Sequence, residues 1–176
     1  MDSVATIISY CTNDFRFIGK CIEEAKIFSK QIVIPVCDHF FDGTAENRHL
    51  LDHTYAQHPD CQFIEFSYSP DRIYSKYHKM APHDVDWAIF WAATTRYVGF
   101  HYLEPSIEQV LFLDSDEIVE GRAFLEWVQS GAHLPFGAER LASYFYGLKP
   151  TLRSKQAVNL PLFVKKSQWA PLTLFN

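Results

Sequence analysis

The chain has 176 residues, enough for one domain with a hydrophobic core, and 48% of them are hydrophobic. Its formal net charge of −5 excludes the broad basic field with which a nucleic-acid binder captures phosphates. The longest helical candidate, residues 84–102, is interrupted by Asp86, Thr94, Thr95 and Arg96, so no stretch reads as a membrane span. The N-terminus lacks the basic start and apolar run of a secretory signal.

Strand and helix signals alternate along the chain. Residues 5–9 form an expected first strand, followed by a loop at Tyr10-Cys11-Thr12-Asn13. A helix is expected over 14–29, where Phe17, Ile18, Cys21, Ile22, Ala25 and Phe28 recur at spacings of three and four. Residues 32–37 are rich in β-branched side chains and predict a second strand. Asp42-Gly43 marks a turn, with Thr44 as the expected cap of a helix running to about Gln57. A third strand follows at 62–68, and then an irregular stretch, 69–82, with Arg72, Lys76 and Lys79. The helix over 84–102 leads to a strand that begins at Gln109, and a short helix is expected at 121–130. Beyond it, residues 141–147 and 157–165 look like strands of an antiparallel or mixed portion.

This alternation predicts a three-layer α/β/α sandwich with a mostly parallel sheet and a smaller mixed C-terminal portion. No linker or repeat divides the chain, so 1–176 is expected to be a single domain. No G-x-G-x-x-G follows the first strand and no G-x-x-x-x-G-K-[ST] occurs, which argues against a Rossmann dehydrogenase or a P-loop enzyme. Cys11, Cys21, Cys37 and Cys61 form no Cys-x-x-Cys pair. They are expected to be reduced thiols of a cytoplasmic protein.

The segment Gln109-Val110-Leu111-Phe112-Leu113-Asp114-Ser115-Asp116-Glu117 carries the chemistry. Consecutive apolar residues suit a strand buried on both faces, and open α/β sheets bind ligands beyond the carboxyl ends of such strands. Acids on alternate positions there repel each other unless a divalent cation and an anionic ligand join them. The bland alternative is a polar turn. Asp84-Val85-Asp86 has the same spacing but opens a helix, where acids complement the macrodipole. Haloacid-dehalogenase-type phosphatases use D-x-D-x-[TV] after an apolar strand. Here the fifth position is Ile118, and no acid follows Glu139 to hold magnesium.

Three stretches, in order, resemble the nucleotide-sugar-dependent glycosyltransferases of the A-type fold, in particular the family 2-like group. Thr6-Ile7-Ile8-Ser9-Tyr10-Cys11-Thr12-Asn13 is similar to the family's opening hhhSxxN. Ile32-Val33-Ile34-Pro35-Val36-Cys37-Asp38-His39-Phe40-Phe41-Asp42-Gly43-Thr44 is similar to hhVxDDxSxDGT, and the segment from Val110 to Glu117 to hhhLDxDE. Cys37 replaces the first Asp of the usual pair, and His39-Phe40-Phe41 replaces small polar residues. Phe40-Phe41 either covers the nucleobase or packs under the loop.

The resemblance implies that residues 1–120 bind a nucleotide sugar, uridine-linked in most of the fold, and that 121–176 hold part of the acceptor side. It implies that Asp38 accepts a hydrogen bond from the base, and that Ser9 and Tyr10 line the same pocket. Asp114 would contact the ribose or the metal, Asp116 would bind Mn²⁺ or Mg²⁺ at the diphosphate, and Lys79 or Lys76 would approach the donor. The implied acceptor is a glycan or a lipid-linked sugar, which leaves peripheral membrane association open. Inverting transfer needs a general base, and the family places a carboxylate well downstream of the acidic motif. Only Glu120, Glu126 and Glu139 lie there, and Glu139 is the candidate. A non-catalytic relic without the base and a nucleotidyltransferase are the alternatives, although no Gly- and Arg-rich loop follows the first strand. His49 and His53, spaced for zinc on one helix, lack a third ligand and are expected to face solvent.

Overall fold

Side chains along the central strands alternate between two cores, which assigns every helix to a side. The computed structural model describes residues 3–40, 42–67, 87–131, 136–138 and 162–168. Its strands are β1 (Val4–Ser9), β2 (Gln31–Cys37), β3 (Gln62–Phe66), β4 (Gln109–Asp114), β5 (Phe136–Ala138) and β6 (Leu162–Lys165). Its α-helices are α1 (Phe15–Ala25), α2 (Arg48–Gln57), α3 (Trp87–His101) and α4 (Gly121–Ser130). Val4, Ile8, Ile34, Val36, Leu111 and Leu113 pack on one face of the sheet with Ile18, Cys21, Ile22 and Ala25 of α1, Leu51 of α2, and Phe124 and Val128 of α4. Ala5, Ile7, Val33, Val110 and Phe112 pack on the other, against Tyr97 and Phe100 of α3 and the Leu103 and Ile107 that follow it. The result is the expected three-layer sandwich, its central strands buried on both faces.

The six strands lie in the order β3-β2-β1-β4-β6-β5. β1, β2, β3 and β4 are mutually parallel, whereas β6 runs antiparallel to β4 and β5 antiparallel to β6. From β1 the chain winds outward through α1 to β2 and through α2 to β3. It then returns through α3 on the opposite face to place β4 on the free side of β1. Strand order therefore reverses between β1 and β4, and a crevice opens beyond their carboxyl ends.

Local chemistry explains where the elements depart from the sequence pattern. α2 begins at Arg48 with Asn47 as its cap, the Asn47 carboxamide accepting the Leu50 N–H. Thr44, the expected cap, instead donates its N–H to Asp42 Oδ1 at 2.8 Å in the preceding turn. Gly43, at φ 85°, closes a tight hairpin in which Phe40 N–H meets Thr44 O and Glu46 N–H meets Asp38 O. The helix cannot start until that hairpin has ended. α1 stops at Ala25 because the last turn tightens, Ile27 and Phe28 donating to Glu24 and Ala25. The three-residue β5 is too short to show alternation and was not expected. The strand expected over 141–147, the stretch 69–82 and the Asp84-Val85-Asp86 triplet lie outside the described residues. Among the described residues no helix is long and apolar enough to cross a membrane.

α1 and α4 touch at Gly121. A Cβ there would lie 2.5 Å from the Glu24 carbonyl oxygen and 2.8 Å from Ile27 Cδ1. The Gly121 N–H also donates to Glu24 Oε2 at 2.9 Å, so this approach fixes the start of α4 just after the acidic turn. Gly121→Ala is expected to destabilise the fold by about 1–3 kcal/mol, read as a lower urea midpoint with an unchanged slope.

Candidate functional site

The crevice at the strand ends is a cleft of about 230 Å³ lined by residues from three strands and from α3. Ser9, Tyr10 and Cys11 come from the end of β1, Cys37 and His39 from the end of β2, and Asp114 and Asp116 from the end of β4. Asp14, Glu46, Ala92 and Thr95 complete the wall. Sheet register explains the grouping, because Ser9 pairs with Asp114 and Tyr10 bridges to Val36.

The acidic turn is braced from within. Asp114 N–H donates to Glu117 Oε2 at 2.9 Å, and Glu117 N–H donates to Asp114 O at the same distance. Ser115, fully buried, donates its N–H to Ser9 O at 3.0 Å and its hydroxyl to Asp14 Oδ2 at 2.9 Å. Arg96, from the α3 face, reaches across to Asp114 Oδ1 at 2.8 Å. The pair is only partly buried, and its guanidinium neutralises the carboxylate nearest the sheet. Asp116 has no cation beside it among the described residues. Although it stands at the solvent-exposed rim, its carboxyl is pushed up, first by desolvation, then by Asp14 and then by Asp114. Burial, above all, pushes the Glu117 carboxyl up to about 7.

The other end of the cleft differs in character. The Tyr10 hydroxyl is engaged with Thr54 Oγ1 at 3.0 Å, so its ring serves as a wall. Glu46 accepts the Thr12 N–H at 3.2 Å and the Thr12 hydroxyl at 2.5 Å. His39 Nδ1 lies 2.8 Å from Asp38 Oδ1. Ser9 Oγ is buried with no hydrogen-bond partner among the described residues, and an orphan hydroxyl in a polar cleft is suited to a ligand.

Of the residues singled out in the sequence, Ser9, Tyr10, Asp114 and Asp116 share this cleft. Asp38 stands beside it, exposed, with its carboxylate on His39 rather than on the cleft wall. Lys79, Lys76 and Glu139 lie outside the described residues, as does Phe41. Phe40 is half-buried and does not line the cleft. His49 and His53 are both exposed, His53 against the Phe15 ring. Sequence reasoning passed over Asp14, Glu46 and Thr95 as parts of the site, and for Arg96 it looked to an acidic partner without naming Asp114. Asp14 was reachable from the strand-end rule, being in the loop after β1. Glu46 was not, because only the hairpin brings it back. Among the described residues, no three carboxylate, imidazole or thiol side chains form a ready metal cage.

No protein-family model matches the chain, and no curated protein does. Several solved structures resemble it in fold. Rv0371c from Mycobacterium tuberculosis superposes with a TM-score of 0.57 at 7% identity, over 98% of this chain and 75% of that one. A second structure of that protein, a complex with manganese, gives 0.55 at 6% identity over the same shares. The 4-diphosphocytidyl-2C-methyl-D-erythritol synthase of Anaerococcus prevotii gives 0.49 at 10% identity, over 94% of this chain and 72% of that one. The glycosyltransferase GlyE of Streptococcus pneumoniae gives 0.38 at 15% identity, over 99% of this chain and 37% of that one. At these identities the likeness is one of architecture.

All four cysteines are free. Burial pushes the Cys11, Cys37 and Cys61 thiols up to about 11 and Cys21 up to about 12. A raised thiol keeps its proton, so at pH 8 the native chain holds roughly two orders of magnitude less thiolate than an unperturbed cysteine. Ellman's reagent is expected to label native protein slowly and to titrate four thiols at once in guanidinium chloride.

Proposed function

We propose that the chain is a glycosyltransferase that moves a sugar from a nucleoside-diphosphate donor, uridine-linked by first expectation, to a glycan or lipid-linked acceptor. One observation carries this reading. At the point where strand order reverses, Asp116 faces Asp14 with no cation beside it among the described residues, while its neighbour Asp114 is held by Arg96. That arrangement favours a ligand that brings positive charge and phosphate oxygens together.

The residues present fit a magnesium or manganese ion of the kind that takes one or two protein carboxylates and completes its shell with phosphates and water. Asp116 would hold it, with Asp114 beside it. Such an ion, when bound, neutralises charge developing on the leaving nucleoside diphosphate. The manganese complex of Rv0371c supports divalent-metal use within this architecture.

The protein's own part is to hold and orient. Arg96 fixes Asp114 Oδ1 at the wall of the cleft. Glu117 and Ser115 keep the acidic turn from opening under its own repulsion. Ser9 offers its unpartnered hydroxyl to the ribose, and Lys79 is proposed to meet the diphosphate.

Glu139 is proposed as the base that takes the acceptor's proton. The other downstream acids serve elsewhere: Glu120 caps α4 by accepting the Ala123 N–H, and Glu126 is exposed on its outer face.

Uridine or guanosine diphosphate with Mn²⁺ is expected to raise the melting temperature by about 5–10 °C at a hundredfold excess over Kd. Asp116→Asn should remove the metal-dependent part of that shift. Glu139→Gln should leave binding intact while lowering transfer by about a hundredfold or more. A shift without turnover on any acceptor would assign the chain a binding role instead. Absence of any nucleotide shift in the parent would overturn the proposal.

A further inference from the structure

We propose that Cys11 and Cys37 form a dithiol across the ends of β1 and β2, and that a small disulfide oxidises it to an intramolecular disulfide that narrows this end of the cleft. The effect on a ligand rests on the nucleotide-sugar reading above; the covalent chemistry does not.

Register brings the two cysteines together. β1 and β2 are parallel, with Ala5 opposite Gln31 and Ile7 opposite Val33, and the same offset persists at the bridge between Tyr10 and Val36. One residue further along, Cys11 stands opposite Cys37. Cys37 is the last residue of β2, and Cys11 keeps an extended backbone at φ −137° and ψ 160°. Neighbouring strands lie about 4.8 Å apart, inside the roughly 4.4–6.8 Å of Cα separation that a disulfide spans.

The side chains also share a side. Tyr10 and Val36 pack into the core shared with α1 and α2, so by alternation the next pair belongs to the α3 side. Both cysteines line the cleft, as do Ala92 and Thr95 of α3. Cys11 Sγ lies 4.0 Å from Asp14 Oδ2, and Cys37 Sγ lies 3.9 Å from Asp38 Oδ1. Contacts of that length from a weak donor cost little to give up, so rotation about χ1 can bring the sulfurs together. The other two thiols are elsewhere. Cys61 precedes β3, whose first residue pairs with Val33, and so lies toward the amino ends of the strands. Cys21 is buried on α1, its sulfur 3.5 Å from Glu117 O.

Oxidation proceeds by two exchanges. Cys11, half-buried where Cys37 is buried, attacks as thiolate one sulfur of the small disulfide and releases one small thiolate. The Cys37 thiolate then attacks Cys11 Sγ and expels the second. The protein gives up two electrons and two protons, and the small disulfide ends as two thiols. Burial, above all, keeps both cysteines protonated, and the Glu46 carboxylate opposes ionisation of each. The exchange is therefore slow, and it answers to sustained oxidising conditions rather than to a brief pulse. A disulfide holds its two Cβ atoms about 3.8 Å apart, so it draws the strand ends together beside Ser9 and Tyr10.

Reduced protein would be held in mixtures of reduced and oxidised glutathione at about pH 8.5, where more thiolate is present, until its thiol count is constant. Oxidising mixtures should lower the count in guanidinium chloride from four thiols to two, with Cys11 and Cys37 in one linked pair on a non-reducing peptide map. Cys37→Ala should stop at a glutathione adduct on Cys11. The melting shift given by UDP with Mn²⁺ should fall by at least about half in the oxidised parent and return with dithiothreitol, and Cys61→Ser should behave as the parent does. Any other pairing, or four thiols persisting under oxidising conditions, would overturn the dithiol. A linked pair with an undiminished shift would overturn the narrowing of the cleft. A reduced parent without any nucleotide shift would sink the transferase reading and the effect on its ligand, while the linked peptides would still establish the disulfide.

Discussion

The parallel register between β1 and β4, from Val4 against Gln109 to Ser9 against Asp114, is the constraint on which the rest of the molecule depends. It joins the first strand to one that follows it by about a hundred residues, and it can form only after α3 has carried the chain back over the opposite face. Side chains alternate along both strands, so a slip of one residue would exchange the Leu113 and Phe112 faces and drive Asp114 out of the crevice. Both faces are packed, by Ile8 and Leu113 on one side and Ile7 and Phe112 on the other. The buried apolar area therefore locks the very register that aligns Ser9 with Asp114. Core packing and site geometry are one constraint here, expressed at the two ends of the same ladder.

Above that ladder the protein gathers Asp14, Asp114, Asp116 and Glu117 within a single turn and its neighbouring loop. Such crowding opposes folding, and the structure answers it unevenly. Asp114 receives Arg96, Asp14 receives the Ser115 hydroxyl, and Glu117 receives a backbone N–H and gains a raised carboxyl through burial. Asp116 has only its own backbone N–H, and no cation or neighbouring side-chain donor among the described residues. An arrangement that satisfies three acids and leaves the fourth at the mouth of a cleft is the pattern expected where local stability has yielded to ligand binding.

The sequence made the layers legible because the central strands are buried on both faces and the helices α1 and α4 carry plain apolar stripes. Gln109-Val110-Leu111-Phe112-Leu113 could hardly be anything but a central strand. Signals failed where long-range contacts decide. Asp42-Gly43-Thr44 looks like a turn followed by a cap, and only the backbone bonds between Phe40 and Thr44 and between Asp38 and Glu46 reveal a hairpin that delays α2 to Asn47. β5 owes its existence to pairing with β6, not to any pattern in Phe136-Gly137-Ala138. The acids of β4 were recognisable from position alone, whereas Arg96 was one charged residue on a mostly apolar helix. Its partner emerges only when α3 lies across the sheet. Asp38 was placed correctly at the end of β2, but its carboxylate meets His39, a contact no periodicity encodes.

Two kinds of scaffold therefore meet in the cleft. The acidic end is built directly on strand termini, with backbone positions fixed by the ladder. The His39 end is built on a short hairpin closed by Gly43, whose side chains can change without disturbing β1 or β4. Rigid strand ends hold what must not vary, and loops carried by them hold what distinguishes one ligand from another. The departures from the resembled motif at His39 and Phe40 fall on the second kind, whereas Cys37 ends β2. Such changes can reshape the hairpin end of the cleft while leaving the acidic end, with Arg96 on Asp114 and Glu117 beneath it, as it is.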